Sequence, residues 1–106
     1  MQTRVFLFYK LKPGVDREAF EQRARDVEAR LAVNAPGIVS YALTRLEGAL
    51  DDNSSAPYDY VEAMEVTTLE EYQGTGSDPD VKAFLDDWEQ DVESYRIVHG
   101  VVVSHT

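Results

Sequence analysis

Cysteine is absent from the 106-residue sequence, which excludes disulfide bonds, thiolate nucleophiles and cysteine-ligated metal sites. Long apolar runs are absent as well. None approaches the roughly 20 residues that a membrane-spanning helix needs, and the apolar stretch near the N-terminus is too short for a secretory signal. We therefore expect a single soluble domain over residues 1–106, located in the cytoplasm.

Basic residues are scarce: the chain has 10 Lys and Arg against 20 Asp and Glu, a formal net charge of -10. Nucleic acids and anionic membranes both require a basic surface on their protein partners. Neither is expected to bind here. An apolar or cationic small molecule, or another protein chain, fits this charge better.

Cofactor motifs are also missing. The sequence contains no Gly-x-Gly-x-x-Gly motif, no phosphate-binding loop and no serine-nucleophile motif. Its two histidines, His99 and His105, are separated by about 20 Å if their segment is an extended strand, too far to bind one metal ion together. We expect neither a metal site nor a tightly bound cofactor.

Four segments carry the alternating or β-branched patterns of strands, namely residues 5–11, 38–46, 58–66 and 95–104. Asp16, Thr68 and Asp78 are suited to cap helix N-termini between them, and Pro79 suits a first helical position. Two of these helices carry apolar stripes. The stripes are Phe20, Ala24, Val27 and Leu31 in the first, and Val81, Leu85, Trp88 and Val92 in the second.

The order strand, helix, strand, strand, helix, strand predicts an α+β, ferredoxin-like βαββαβ fold, a four-stranded antiparallel sheet with helices on one face. The first and last strands are apolar on both faces, so the face without helices would expose an apolar patch. A second copy of the chain would cover it. We therefore expect a homodimer with packed sheets, a dimeric α/β barrel.

The segment Ala56-Pro57-Tyr58-Asp59-Tyr60-Val61-Glu62 is the most distinctive stretch of the chain. Side chains alternate along a strand, so Tyr58, Tyr60 and Glu62 are predicted to share one face and form the wall of a cavity. Residues 47–57 before it form a long loop. This loop is either a mobile hairpin connection or a lid over the cavity.

This segment, together with Leu11-Lys12-Pro13-Gly14-Val15-Asp16, resembles the REDY-like (HapK-like) family of dimeric α/β-barrel proteins. The resemblance implies a homodimeric ferredoxin-like barrel. It further implies a role in pathways to prodiginine-type pigments, bisindoles or related natural products, where such proteins shape reactive aromatic intermediates without a tightly held cofactor. It transfers no catalytic residues.

Catalytic candidates therefore come from residue chemistry. His99 lies within a predicted apolar strand, and a histidine side chain can serve as a general acid or base; a histidine in such a place is more often a core residue. Glu62, if buried beside tyrosines, would have a raised pKa and could donate a proton; a salt bridge to Arg45 or Arg96 is the structural alternative. Tyr60 is the third candidate.

Four aromatic residues, Tyr9, Tyr41, Tyr58 and Trp88, are candidates for stacking on a planar substrate. Core or interface packing is the alternative for each. The leading functional hypothesis is a cofactor-independent cyclase or dehydratase that acts by proton transfer on a reactive aromatic intermediate of the pyrrole, indole or polyketide type. The alternatives are a non-catalytic dimer that shields such an intermediate, and a cofactor-free monooxygenase.

Overall fold

The computed structural model describes residues 2–106 as a four-stranded sheet with helices against one face. The strands are β1 (Thr3–Leu11), β2 (Ile38–Arg45), β3 (Tyr60–Val66) and β4 (Val92–Val101). The first helix is continuous through α1 (Arg17–Arg23), a π-helical segment (Ala24–Glu28) and α2 (Ala29–Asn34). The second helical region comprises α3 (Leu69–Gly74), a 3-10 turn (Thr75–Ser77) and α4 (Pro79–Asp91).

The strands lie in the order β2-β3-β1-β4, and every neighbouring pair is antiparallel. This is the ferredoxin-like arrangement, and the prediction of the fold is confirmed. No helix within residues 2–106 has the length and apolar character that crossing a membrane requires.

The helix starts follow the local capping signals. The side chains of Asp16, Thr68 and Asp78 each accept a hydrogen bond from a backbone N–H in the first turn of the helix that follows. These bonds satisfy donors that would otherwise have no partner. All three predicted N-caps are confirmed.

The helix-facing side of the sheet carries two clusters of buried residues, and the central row between them is less apolar. One cluster contains Tyr9, Leu11, Phe20, Tyr60, Trp88 and Val92, and the other contains Val5, Met64 and Val66. In the strand register, Glu62 of β3 lies opposite Leu7 of β1 and Leu43 of β2. A carboxyl group therefore lies between the two halves of the core.

The first helix departs from the predicted apolar stripe. Its buried residues are Phe20, Ala24, Glu28 and Ala32, whereas Val27 and Leu31 are only partly buried. The π-helical segment adds a residue to one turn, which brings Glu28 onto the buried side. The predicted stripe is buried at its first two positions, Phe20 and Ala24, and only partly buried at Val27 and Leu31.

Several strand boundaries also differ from the predictions. β4 begins at Val92 rather than residue 95, and β3 begins at Tyr60 rather than Tyr58. The Tyr58 ring packs against Phe8, on the face without helices, with ring centroids 5.7 Å apart. The prediction that Tyr58 shares a face with Tyr60 and Glu62 is therefore wrong, because regular alternation begins only at Tyr60.

Candidate active site: a carboxyl pair in an apolar cavity

A cavity of about 210 Å³ lies between the sheet and the helices. Its walls are mostly apolar, and its polar side chains are Glu28, Tyr41, Glu62, Tyr72, Gln73 and Thr75. Apolar residues make up most of the remainder: Leu7, Leu31, Ala32, Ala35, Ile38, Met64, Val81, Phe84, Leu85 and Trp88, with Gly76 at one edge. Mostly apolar walls with a few converging polar groups are typical of small-molecule sites.

Glu28 reaches this cavity from the end of the π-helical segment. The residue is only 6% exposed, and the Tyr41 hydroxyl donates a 2.6 Å hydrogen bond to its Oε1. Its Oε2 is buried and has no hydrogen-bond partner within residues 2–106. This acceptor therefore depends on a proton of the neighbouring Glu62 or on a ligand, because an unpaired acceptor in an apolar environment costs free energy.

Glu62 reaches the same cavity from β3. Burial raises its pKa well above the ordinary value of 4.5, because the ionised form loses its hydration. Glu28 raises the pKa further, since it hydrogen-bonds to the protonated form and repels the ionised form. The two groups thus form a carboxyl pair in which Glu62 keeps its proton where an ordinary glutamic acid has lost it.

The phenols around the pair stay neutral. Burial, followed by the charges of Glu28 and Glu62, raises the pKa of Tyr41 and Tyr9, and the same groups raise that of Tyr72 to about 12. The hydroxyls of Tyr41 and Tyr72 are therefore hydrogen-bond donors rather than bases in this cavity.

Tyr60 belongs to a separate arrangement near the end of β2. Its hydroxyl donates a 2.6 Å hydrogen bond to Glu21, whose carboxylate also accepts two hydrogen bonds from Arg45 at 2.6 and 2.7 Å. These bonds, with Arg45 first, lower the pKa of Glu21 to about 2. Burial and Glu21 raise the pKa of Tyr60 to about 12. Both groups line a second cavity of about 320 Å³.

The structure brings three of the seven candidate residues together. Glu62, Tyr41 and Trp88 line the first cavity. Tyr9 is fully buried in the core beside them, stacked on Tyr60 with centroids 5.4 Å apart, and its hydroxyl has no hydrogen-bond partner within residues 2–106. Arg45, a suggested partner of Glu62, is bound instead to Glu21.

His99 lies apart from the carboxyl pair. It is paired in register with Val5, on the helix-facing side of β4, and is exposed. It is not among the residues that line the first cavity. A single chain does not bring His99 together with Glu62, and its proposed catalytic role remains a prediction.

Glu28 is the residue that the sequence reasoning missed. Phe20, Ala24, Glu28 and Ala32 follow each other at a constant spacing of four, and this regularity was the available signal. A charged residue within a buried stripe is unusual unless it is paired. Within residues 2–106, no group of three or more His, Asp and Glu side chains is arranged to hold a metal ion.

A family model described as "REDY-like protein HapK" matches residues 3–103. The chain belongs to this HapK family. Its fold is shared with the crystal structure of HapK from Hahella chejuensis, at a TM-score of 0.79 and 17% identity over 98% of this chain and 95% of that one. No curated protein sequence matches the chain.

Two further solved structures have the same fold. A hydroxynitrile lyase from Passiflora edulis aligns at a TM-score of 0.78 and 11% identity, covering 99% of this chain and 96% of the other. A dimeric ferredoxin-like protein of unknown function from Thermobifida fusca aligns at 0.73 and 17% identity, covering 96% and 92%. At these identities the similarity establishes the fold of this family member and nothing further.

Proposed function

We propose that this protein is an enzyme that moves protons on a small planar intermediate held in the first cavity, with Glu62 as the acid and Glu28 as the base. The carboxyl pair is the observation that carries this proposal. One carboxyl holds a proton, and its neighbour carries a buried oxygen that receives no hydrogen bond from the rest of the described chain. General acid and base catalysis needs two such groups within reach of one substrate.

Such a pair suits cyclisation or dehydration. In a dehydration, Glu62 gives its proton to the departing hydroxyl as the C–O bond breaks, and Glu28 takes a proton from carbon or nitrogen as the double bond forms. The proton then passes from Glu28 to Glu62, so the pair regains its starting state. The Tyr41 hydroxyl holds Glu28 in position during this cycle.

The cavity volume limits the size of the substrate. An apolar cavity of about 150 Å³ accommodates benzene, so about 210 Å³ has room for one ring or a small fused system. Aromatic and aliphatic walls from Phe84, Trp88 and Ile38 favour a flat, largely apolar molecule. Membership of the HapK family is consistent with the pyrrole- or indole-type natural-product intermediate that the resemblance implies.

The test uses a pyrrole- or indole-type intermediate of the class proposed above. Purified protein is incubated with it in D₂O, and conversion and deuterium incorporation are followed by NMR. Glu62→Gln and Glu28→Gln should each slow turnover at least about 100-fold, the usual contribution of one acid or base. Glu65→Gln removes a carboxylate from the opposite face of β3 and should leave the rate unchanged. Turnover that survives in both cavity variants would eliminate the proposal.

A non-catalytic binding role is the second candidate. The same cavity could shield an unstable intermediate, since its acceptor oxygen and apolar walls are recognition features in their own right. This role predicts protection of one intermediate per binding site, without deuterium incorporation. The NMR experiment separates it from catalysis.

We also infer that the protein functions as a homodimer. β4 exposes apolar side chains on both faces: Tyr95, Ile97, Val98 and Val101 are each at least 40% exposed. A solved relative of this fold is described as dimeric. Sedimentation equilibrium should give twice the chain mass of 12.0 kDa, and Val98→Lys should shift the protein toward the monomer. A monomer at micromolar concentration would contradict this inference.

A further inference from the structure

We propose that the cavity selects a planar ligand bearing a protonated nitrogen, which binds between the carboxyl groups of Glu28 and Glu62. This inference rests on the proposed function and names its class of ligand. It concerns a cationic heteroaromatic or amidine-like group, in the bound substrate or in the intermediate formed from it.

The charges around the cavity have one sign. Its lining, drawn from residues 2–106, includes two glutamic acids but no lysine, arginine or histidine. Two nearby arginines are paired outside it, Arg45 with Glu21 and Arg23 with Asp87. A carboxylate or phosphate ligand would therefore enter with no cation to receive it, which makes its desolvation unfavourable. The net charge of the chain, -10, also attracts cations from solution.

The buried Oε2 atom of Glu28 favours a ligand that carries a hydrogen-bond donor. Glu28 is more than nine-tenths buried and lines the cavity, and apart from the proton held on Glu62 no donor of the described chain reaches its Oε2. A nitrogen with N–H bonds can satisfy that oxygen and reach the second carboxyl at the same time. Charge-assisted hydrogen bonds of this kind are about twice as strong as neutral ones.

The protons of the pair would respond to such a ligand. Glu28 faces Glu62 from the first helix, and Tyr41 and Tyr72 face it from β2 and α3. Leu7 of β1 and the apolar side chains of α4 contribute no charge to the lining. A cation placed between the carboxyls favours ionisation of both, so binding expels the proton held on Glu62. A neutral ligand leaves that proton in place.

Three ligands of one shape test the inference: benzamidine is cationic, benzamide is neutral and benzoate is anionic. Isothermal titration calorimetry at pH 7 measures their affinities, and repetition in two buffers of different ionisation enthalpy counts the protons released. Benzamidine should bind about tenfold more tightly than benzamide, with a net release of protons that benzamide does not show. Benzoate should show no binding.

Single substitutions test which carboxyl groups cause the preference for the cationic ligand. Glu28→Gln and Glu62→Gln should each remove the preference for benzamidine over benzamide, and Glu65→Gln should retain it. Benzamidine and benzamide could bind the wild type with equal affinity, and both could stop binding when Glu28 or Glu62 is replaced. That result would overturn selection by charge and leave the proton-transfer proposal standing. Benzamidine binding that is insensitive to both variants, or no binding of any of the three, would overturn the inference. Turnover of the natural intermediate is measured separately.

Discussion

Replacing Glu62 with glutamine should change how the stability of the protein depends on pH. The folded state holds the Glu62 proton more tightly than the unfolded state, because burial and Glu28 raise the pKa of this carboxyl. The folded protein therefore binds more protons wherever the pH lies between the two pKa values. In that range, stability falls as pH rises.

The size of this pH effect corresponds to one extra proton bound by the folded state. Between the unfolded pKa, near 4.5, and the raised pKa of the folded state, each pH unit should cost about 1.4 kcal/mol of unfolding free energy. Urea unfolding of the wild type and of Glu62→Gln at pH 5, 6, 7 and 8 measures this directly. The variant should gain relative stability with each step until the folded pKa is passed.

The carboxyl group of Glu21 does not produce this fall in stability with rising pH. Glu21 has a pKa of about 2, so its stabilisation is present above the ordinary value of 4.5 and is lost only in more acidic solution. Glu28→Gln should show the same slope over a narrower pH range, because Glu62 remains buried but loses the neighbour that raises its pKa further. Parallel curves for the wild type and Glu62→Gln would refute the assignment of a raised pKa.

Three further predictions concern the surroundings of the pair. Tyr41→Phe removes the hydrogen bond to Glu28 Oε1, and urea unfolding should show a loss of about 1–3 kcal/mol, since a buried acceptor is left unpaired. Gly37→Ala places a Cβ 2.7 Å from the carbonyl carbon of Glu71, so α3 must shift; we expect a similar loss and faster hydrogen exchange in α3. Glu21→Gln should flatten the decline in stability between pH 4.5 and 2, measured by acid unfolding.

Local signals predicted most of the fold. Caps at Asp16, Thr68 and Asp78 act through bonds within one turn, so they can be read from neighbouring residues. The orientation of Glu62 followed from alternation once β3 was recognised, and its position in a cavity wall is in accord with that reasoning. Strand and helix periodicity is local in the same sense.

Tyr58 shows where alternation fails. The backbone N–H of the next residue, Asp59, bonds the carbonyl oxygen of Tyr9, and the Asp59 side chain accepts the N–H of Leu11 at 2.8 Å and contacts Arg17 at 3.1 Å. These contacts fix the chain before regular pairing begins at Tyr60. They join residues far apart in sequence, so the segment itself gives no sign of them.

His99 illustrates a different limit. Its position on the helix-facing side of β4 follows from strand periodicity, and the pairing with Val5 agrees with it. Burial depends instead on how far the helices extend across the sheet, and Ile97 on the same side is 48% exposed. Strand periodicity predicts which face of the sheet a side chain lies on. Whether that side chain is buried depends on which other elements of the fold cover the face.

Glu28 and Glu62 both violate the rule that carboxyl groups stay out of apolar interiors. Within the described chain, the Tyr41 hydroxyl donates a hydrogen bond to Glu28, and no cationic side chain lines the cavity that holds the two carboxyl groups. An apolar pair of similar volume would avoid the cost that rises with pH, since buried charges are often replaced without loss of stability. The fold therefore does not require this pair. Its position beside a cavity, at the end of a π-helical segment of the kind often found at functional sites, supports the proposal that it serves a ligand.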